Sequence, residues 1–565
     1  MPKAVKKKMK TSDHSNSIKN IINNNNIFVS EINQLLHNEG VIMDDRLDIV
    51  INIVNHCLYD KKIELNISKK VADEIIALVK SVSIDRAEVM QILFMFYCDK
   101  KVKINLDQFY TPYTIGRFLS KLMIPGKSVI DPASGTGDLV KNYEGDITLW
   151  DINEEVLNIC TQNYAINNKA CTIGCHNSIV ENQLNNDSYD YCCLNPPFGS
   201  STVIKDQSVL NNYKLGKNKK SQEIGILFVE RAMNLLKPDG VAFIIVPNGY
   251  LGNSTKNMIE FKEYLRQFRI ISLLELPANT FARSGTGVST SIIIIQKSTL
   301  ASPYNIFIRH VENIGYVLNK KNTPYKYKTT NGNISILDGR PVLDDDLVDC
   351  AEHLAMYAHD NHINTIVSTP NAGCTYETLA SSDIYKNILD INRYLNRYLE
   401  IVNTSNKKKV SDFVMKEVNG KFDIVRDTEY LYLDIKQITS PIYNKTNYMY
   451  GYELPSRAKI SVKKHDIIIS KLKGKISFTV ILSDDTNIIC SNGFALLRPK
   501  DYESMVILFA NLFSKDFKMQ HNSLCTGSIM ASLSDDDIKK ILINPTIDYS
   551  KYDNIIKALE VINEI

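Results

Sequence analysis

Asn195-Pro196-Pro197-Phe198 is the tetrapeptide in this chain with the most chemistry in the fewest residues. It follows Asp190-Tyr191-Cys192-Cys193-Leu194, a short apolar run that reads as a buried strand. Two prolines stop the strand, because proline has no N–H for a sheet ladder and its φ is fixed. The product is a stiff loop at a strand's carboxyl end, holding one amide and one aromatic ring. Ligands of open α/β sheets bind at that edge. A fixed amide beside a ring suits a flat, polar-edged ligand such as a nucleobase. Alone, the tetrapeptide also fits a turn that merely ends a strand.

A second constellation lies upstream. Ser128 to Val140, SVIDPASGTGDLV, follows a strand–turn–helix order. Gly135 and Gly137 let the backbone approach a ligand with no Cβ in the way. Asp131, at the strand end, can accept from an ammonium group. The turn is neither GxGxxG nor GxxxxGK[ST], which argues against dinucleotide or ATP binding. Asp151, fourteen residues after Gly137, closes the next strand, ITLW. An acid there can hydrogen-bond both hydroxyls of a ribose; the competing role is a helix N-cap.

The elements that must position these residues are legible as alternation. From 106 to 315, apolar strands (SVIDPA, ITLWDI, YDYCCL, GVAFIIVP, RIISLLELP, SIIIIQK) alternate with helices. Runs apolar throughout indicate strands covered on both faces, hence an α/β, Rossmann-like doubly wound sheet. Residues 30–105 have helical periodicity and form an N-terminal helical domain. Residues 316–400 read as a linker and helical connector. Residues 401–565 hold short strands between turns and a terminal helix, an α+β domain.

The order QFYTP (Gln108 to Pro112), DPASGTGDL, LWD and NPPF resembles the S-adenosyl-L-methionine-dependent amino-methyltransferases of DNA, and within them type I modification subunits. The likeness continues through Gln222 to Leu251 and Leu276 to Lys297. It implies that Phe109, Tyr110, Thr111 and Pro112 cover the methionine end of the cofactor. Asp131, Ala133, Gly135, Thr136 and Gly137 would hold its amino acid portion. Asp151 would hold the ribose, and Ile152 would lie against the adenine ring. Where relatives carry an acid after the third strand, this chain has Asn177, whose oxygen can accept from the adenine amino group. Asn195 would touch both cofactor and substrate. Its oxygen and the Pro196 carbonyl would hold both hydrogens of an adenine amine, whose lone pair is otherwise delocalised. Pro197 stiffens the loop, and Phe198 would stack on a base flipped from the duplex. Asn in the first position leans to adenine within the family. Cys192 and Cys193, inside the apolar run, read as packing and not as nucleophiles for ring-carbon methylation.

Lys214, Lys217, Lys219 and Lys220 form a mobile basic loop after the catalytic tetrapeptide, suited either to phosphates or simply to solvent. Between Ser456 and Lys475 seven basic residues meet one acid. Lys463, Lys464, Lys471, Lys473 and Lys475 therefore offer double-stranded DNA a basic face. YLYLDIKQIT, VKKHDIIISKLKGKISFTVI and TGSIMASLSDDDIKKILINP resemble one target-recognition domain of type I specificity subunits, and Ile388 to Leu399 resembles its lead-in.

The bulk numbers set bounds. The 565 residues are 44% hydrophobic and 23% charged, with net charge +3, so local clusters must carry any affinity for DNA. Eleven cysteines without a CxxC pair read as reduced, with no zinc or other metal site, in a cytoplasmic protein. No apolar run is long enough for a membrane. Residues 1–29 are a basic tail: solvated and disordered, a nuclear address, or an arm touching DNA. No nuclease or ATP-binding pattern is present, so a restriction partner would be a separate chain. The readings are a self-contained DNA adenine methyltransferase, a modification subunit with a restriction or specificity partner, a protein-glutamine or RNA methyltransferase, and a non-catalytic relative. A single recognition region fits a monomer, the expected state, or a homodimer.

Overall fold

A computed structural model describes residues 28–59, 66–81, 111–198, 202–282, 287–299, 303–318, 325–337, 340–383, 389–416, 423–474, 476–527 and 531–564. Phe109, Tyr110, Lys475 and nearly all of the basic tail lie outside them. The chain divides into two compact units, residues 1–389 and 390–565.

The first unit opens with helices. In α1 (Met43–Tyr59) and α2 (Lys69–Ser81) the helical period is plain: α2 buries Ala72, Ile75 and Val79, three and four residues apart on one face. The centre is a nine-stranded sheet. Its strands are β1 (Ser128–Asp131), β2 (Asp146–Asp151), β3 (Thr172–Cys175), β4 (Tyr189–Leu194), β5 (Leu236–Pro247), β6 (Arg269–Glu275), β7 (Thr290–Gln296), β8 (Asn305–His310) and β9 (Thr378–Ala380). They lie in the order 9-8-6-7-5-4-1-2-3. Neighbours are parallel except at β7, antiparallel to β5 and β6, and β9, antiparallel to β8. All seven residues of β7 are buried, as its run of isoleucines requires. Chain order reverses between β1 and β4, so the carboxyl ends of these two strands flank the crevice of a doubly wound sheet.

Five helices cover the sheet: α3 (Tyr113–Leu122), α4 (Glu154–Ile166), α5 (Ile224–Leu235), α6 (Lys256–Leu265) and α7 (Asp346–Asp360). One core joins Ile115, Phe118 and Leu122 of α3, Phe243 and Ile245 of β5, Ile292 and Ile294 of β7, and Leu347, Leu354 and Tyr357 of α7. Residues 316–400, read from sequence as linker and connector, thus supply a core helix and an edge strand to this unit. The buried stripe of α7 explains why: Leu347, Cys350, Leu354 and Tyr357 recur at helical spacing and need a partner surface.

The second unit is α+β. A three-stranded sheet is covered on one face by Tyr502–Leu512, Lys515–Leu524 and Tyr549–Glu564, and on the other Ile468 and Phe494 pack with Leu431, Ile488 and Cys490 of a four-stranded sheet. Ile467 and Ile469 of the three-stranded sheet pack with Met505, Phe509 and Ile556. Beside them Asp466, nearly fully buried, accepts two hydrogen bonds from Arg498, at 2.7 and 2.6 Å. Among the described residues no helix is long and apolar enough to cross a membrane.

Candidate active site

Three loops leave the carboxyl edge of the sheet at the switch point: the glycine turn after β1, the Asp151 tip of β2, and the Asn195 loop after β4. Together they enclose a cavity of about 470 Å3. Of the residues expected at the site, Thr111, Asp131, Ala133, Gly135 and Thr136 line it, as do Asp151, Ile152, Asn177, Asn195 and Pro197. Pro112, Gly137, Pro196 and Phe198 do not.

The glycine turn is built from below. Gly135 and Gly137 have φ of +52° and +79°, where a side chain is strained. A Cβ on Gly137 would also sit 2.6 Å from the Tyr164 ring and 2.7 Å from Cys160 Sγ, both on α4. Thr136 Oγ1 donates to Asp138 at 2.6 Å, and Asn163 Nδ2 donates to the Thr136 carbonyl at 2.9 Å. Asp151 is a brace and not the cap of α4. Its two oxygens accept from Gly135 N at 3.0 Å and Asn153 N at 2.9 Å, while Asn153 caps the helix.

Asp131 is fully buried. One oxygen accepts from Ala133 N at 3.1 Å, and the other has no hydrogen-bond partner among the described residues. Burial, with the neighbouring Asp151 charge adding to it, pushes its carboxyl up to about 8. Burial also raises the Asp151 carboxyl. Asn195 Nδ2 donates to Thr111 Oγ1 at 3.1 Å, and Asn195 Oδ1 is buried with no hydrogen-bond partner among the described residues. The buried Ser134 hydroxyl also lacks a partner. Nearly all buried polar groups in folded proteins are satisfied, yet here three unsatisfied ones line a single cavity. That donor and acceptor set fits S-adenosyl-L-methionine: a carboxylate for an ammonium, a second carboxylate for a ribose, and apolar cover for a purine. Ile152 and Val180, 61% and 53% exposed, would supply the cover.

Asn177 stands where expected, but its oxygen accepts from Ile179 N at 3.3 Å and Val180 N at 3.2 Å. The amide hydrogens are the part left for a ligand. Sequence reasoning missed Ile179, Val180 and Phe228, which also line the cavity. An apolar pair directly after a polar residue at a strand's carboxyl end was the available signal. It missed Arg231 as well, fully buried on α5. Its guanidinium donates to the carbonyls of Glu181, Asn182 and Leu184, clamping the segment that presents Asn177 to Val180.

Phe198 is 4% exposed and packs edge-on against Phe281, with ring centroids 6.4 Å apart. Cys192 and Cys193 are fully buried, and burial raises both thiols well above their usual range. Neither is fit to attack a base. The basic loop, expected to be mobile, is tied down. Buried Tyr213 donates to the Ile179 carbonyl at 2.8 Å, and Glu230 accepts from Lys214 N and Leu215 N at 2.7 and 2.9 Å. Lys219 pairs with Glu260 at 2.8 Å, whereas Lys214, Lys217 and Lys220 face solvent. In the second unit Lys464 pairs with Asp484 and Lys471 with Asp535, at 3.0 and 2.8 Å. Lys463 and Lys473 are exposed.

The chain is similar to a protein from Listeria monocytogenes assigned as a class I S-adenosylmethionine-dependent methyltransferase: 18% identity over 53% of this chain and 93% of that one, TM-score 0.37. It is similar to the type I restriction-modification methyltransferase subunit from Streptococcus thermophilus (15% identity, 58% of this chain, 72% of that one, TM-score 0.36). It is also similar to the type IIG restriction endonuclease BpuSI (13% identity, 97% and 74%, TM-score 0.46). No curated protein matches the sequence. The family model for N-6 DNA methylases matches residues 91–339. That span contains the glycine turn, the Asp151 strand and the Asn195 loop.

Proposed function

We propose that this chain transfers a methyl group from S-adenosyl-L-methionine to N6 of an adenine flipped out of duplex DNA. The observation that carries the reading is Asn195 Oδ1, a buried acceptor without a partner in the same cavity as Asp131 and Asp151. The cofactor, when bound, supplies a methyl already activated on a sulfonium, so no covalent bond to the protein is required. Asp131 holds an ammonium, Asp151 a ribose, and Ile152 and Val180 the two faces of a purine, with the Asn177 amide at its edge. Asn195 Oδ1 and the Pro196 carbonyl take the two amine hydrogens of the target base. Held so, the nitrogen keeps its lone pair out of the ring and would take the methyl as its bond to sulfur breaks; the electron pair would stay on the sulfur of S-adenosyl-L-homocysteine, and one amine hydrogen would leave to solvent as a proton. Alignment of two bound reactants can supply roughly 7–11 kcal/mol. Flipping costs a few kcal/mol, least where base pairing is weak. Phe198 can return part of that by stacking, once its ring parts from Phe281.

The second unit is the part proposed to select the DNA site, with phosphate contacts from exposed lysines. A separate specificity subunit is a plausible partner. The test uses labelled methyl groups and duplex DNA: label should appear as N6-methyladenine, and Asn195→Ala should lower transfer at least about a hundredfold, the scale of losing one preorganised polar group. Label in cytosine or protein, or an Asn195→Ala rate equal to the parent's, would sink the reading.

A further inference from the structure

We infer that Asn177 reads the purine of the cofactor by donating a hydrogen bond, so that the exocyclic amine of adenine goes unread. The cavity then accepts a 6-oxopurine ligand, S-inosyl-L-homocysteine, about as well as S-adenosyl-L-homocysteine. The inference rests on the methyltransferase reading of the site and deepens it by naming the class of nucleobase held there. The two ends of an asparagine amide are opposite in chemistry: the oxygen accepts and the NH2 donates. Which end a ligand meets is decided by what holds the other. A backbone N–H decides it without ambiguity, because it can only donate.

Two such groups hold Asn177. Its Oδ1 accepts from Ile179 N at 3.3 Å and Val180 N at 3.2 Å. A reversed amide would set its own hydrogens against theirs, donor against donor. Nδ2 is therefore the end left to the cavity, which Asn177 lines together with Ile152 and Val180. The residue is anchored in place. Its own N–H donates to Glu181 Oε1 at 3.0 Å, and His176 N donates to the Asp151 carbonyl at 3.0 Å. Asp151 is the proposed ribose ligand, so a base on that ribose shares one end of the cavity with the Asn177 amide. The Glu181 carboxylate is no substitute acceptor. It is not among the residues lining the cavity, and its Oε2 faces His176 Nδ1 at 3.0 Å. An amide N–H finds an acceptor on either base: N1 or N7 of adenine, O6 or N7 of hypoxanthine. An acceptor in its place would discriminate, since C6 carries an amine in adenine and a carbonyl in hypoxanthine.

Isothermal titration of the full-length protein with the two ligands tests this without turnover. In the parent the adenosyl ligand should have an advantage of at most about fivefold in dissociation constant, the factor of one neutral hydrogen bond. Asn177→Asp keeps an oxygen for Ile179 N and Val180 N and turns the inward end into an acceptor. That variant should bind the adenosyl ligand at least about tenfold more tightly than the inosyl one, the scale of a hydrogen bond to a charged group. A ratio unchanged by Asn177→Asp, with both affinities altered alike or not at all, overturns the proposal and leaves Asn177 a structural residue of the turn. A larger adenosyl preference in the parent also overturns it, and that measurement decides the matter without a variant if Asn177→Asp does not fold. Binding of neither ligand to the parent overturns the underlying methyltransferase reading instead.

Discussion

Asp131 shows how one buried group ties protein stability and ligand affinity to pH. Its carboxyl, ordinarily near 3.8, is pushed to about 8 by burial first and by Asp151 second. Near neutral pH the ligand-free protein therefore keeps a proton that the unfolded chain has already lost. The sign follows: the raised value favours the fold below about pH 4, and that contribution is lost as pH climbs through about 8. A ligand ammonium reverses the preference, because it pairs with the carboxylate and drives the proton off. Affinity for S-adenosyl-L-homocysteine should then rise between pH 6 and 8, by up to about tenfold per unit, with proton release on binding. Calorimetric titration at pH 7 in two buffers of different ionisation heat counts that proton. Asp131→Asn should bind more weakly with a flat profile over the same range. A proton count of zero for the parent protein would mean that Asp131 meets no cation.

At the scale of elements, the close approach of α3 to the glycine turn is the contact on which the site's geometry depends. Gly116 is buried in that helix, where glycine is about 1 kcal/mol worse than alanine. Against that, a Cβ would lie 2.6 Å from the Asp138 carbonyl oxygen and 3.2 Å from that of Leu139. Both are backbone atoms of the turn and cannot swing aside. Overpacking of this kind typically costs about 1–3 kcal/mol, so the contact should outweigh the propensity. Gly116→Ala should lower the thermal midpoint and slow methyl transfer together; a more stable, fully active variant would show that the helix has room to move. This contact also marks the limit of what was legible beforehand. The strands, the glycine turn, Asp151 and the Asn195 loop could be read because local rules govern them: apolar runs, positive-φ glycines, prolines that end a strand. Nothing local reveals the hydrogen bond between Thr111 and Asn195, a residue 84 positions later. Asn177 lost its oxygen to its own turn, Phe198 lay down on Phe281, and α7 joined the core. For Phe198 and α7 a tertiary partner decided among options that the local sequence left equal, whereas the Asn177 oxygen was taken by backbone N–H groups two and three residues on.

For the whole molecule the open quantity is how much DNA affinity this chain carries by itself. A net charge of +3 over 565 residues rules out a strong general field, so binding must come from local cations free to reach phosphates. The structure sorts the lysines expected there. Lys219, Lys464 and Lys471 already hold carboxylates, and each must give up its partner before meeting a phosphate. Lys214, Lys217, Lys220 and Lys463 are exposed. Each phosphate neutralised on B-DNA steepens the fall of log affinity with log salt by about 0.9. These four therefore account for a slope of at most about 3.6 in magnitude. Replacing Lys217 and Lys220 together by glutamine should reduce the measured slope by about 1.8, with little change in the rate of methyl transfer at saturating DNA. The same change at Lys464 and Lys471 should leave the slope nearly as it was. The measurement is a salt titration of duplex binding by fluorescence anisotropy. If the paired lysines carry the slope instead, the ion pairs open on DNA, and the exposed loop after the Asn195 tetrapeptide is a solvated surface. If the parent slope is close to zero, this chain does not hold DNA by its own charge, and a second, more basic subunit has to bring the duplex to the Asn195 cavity.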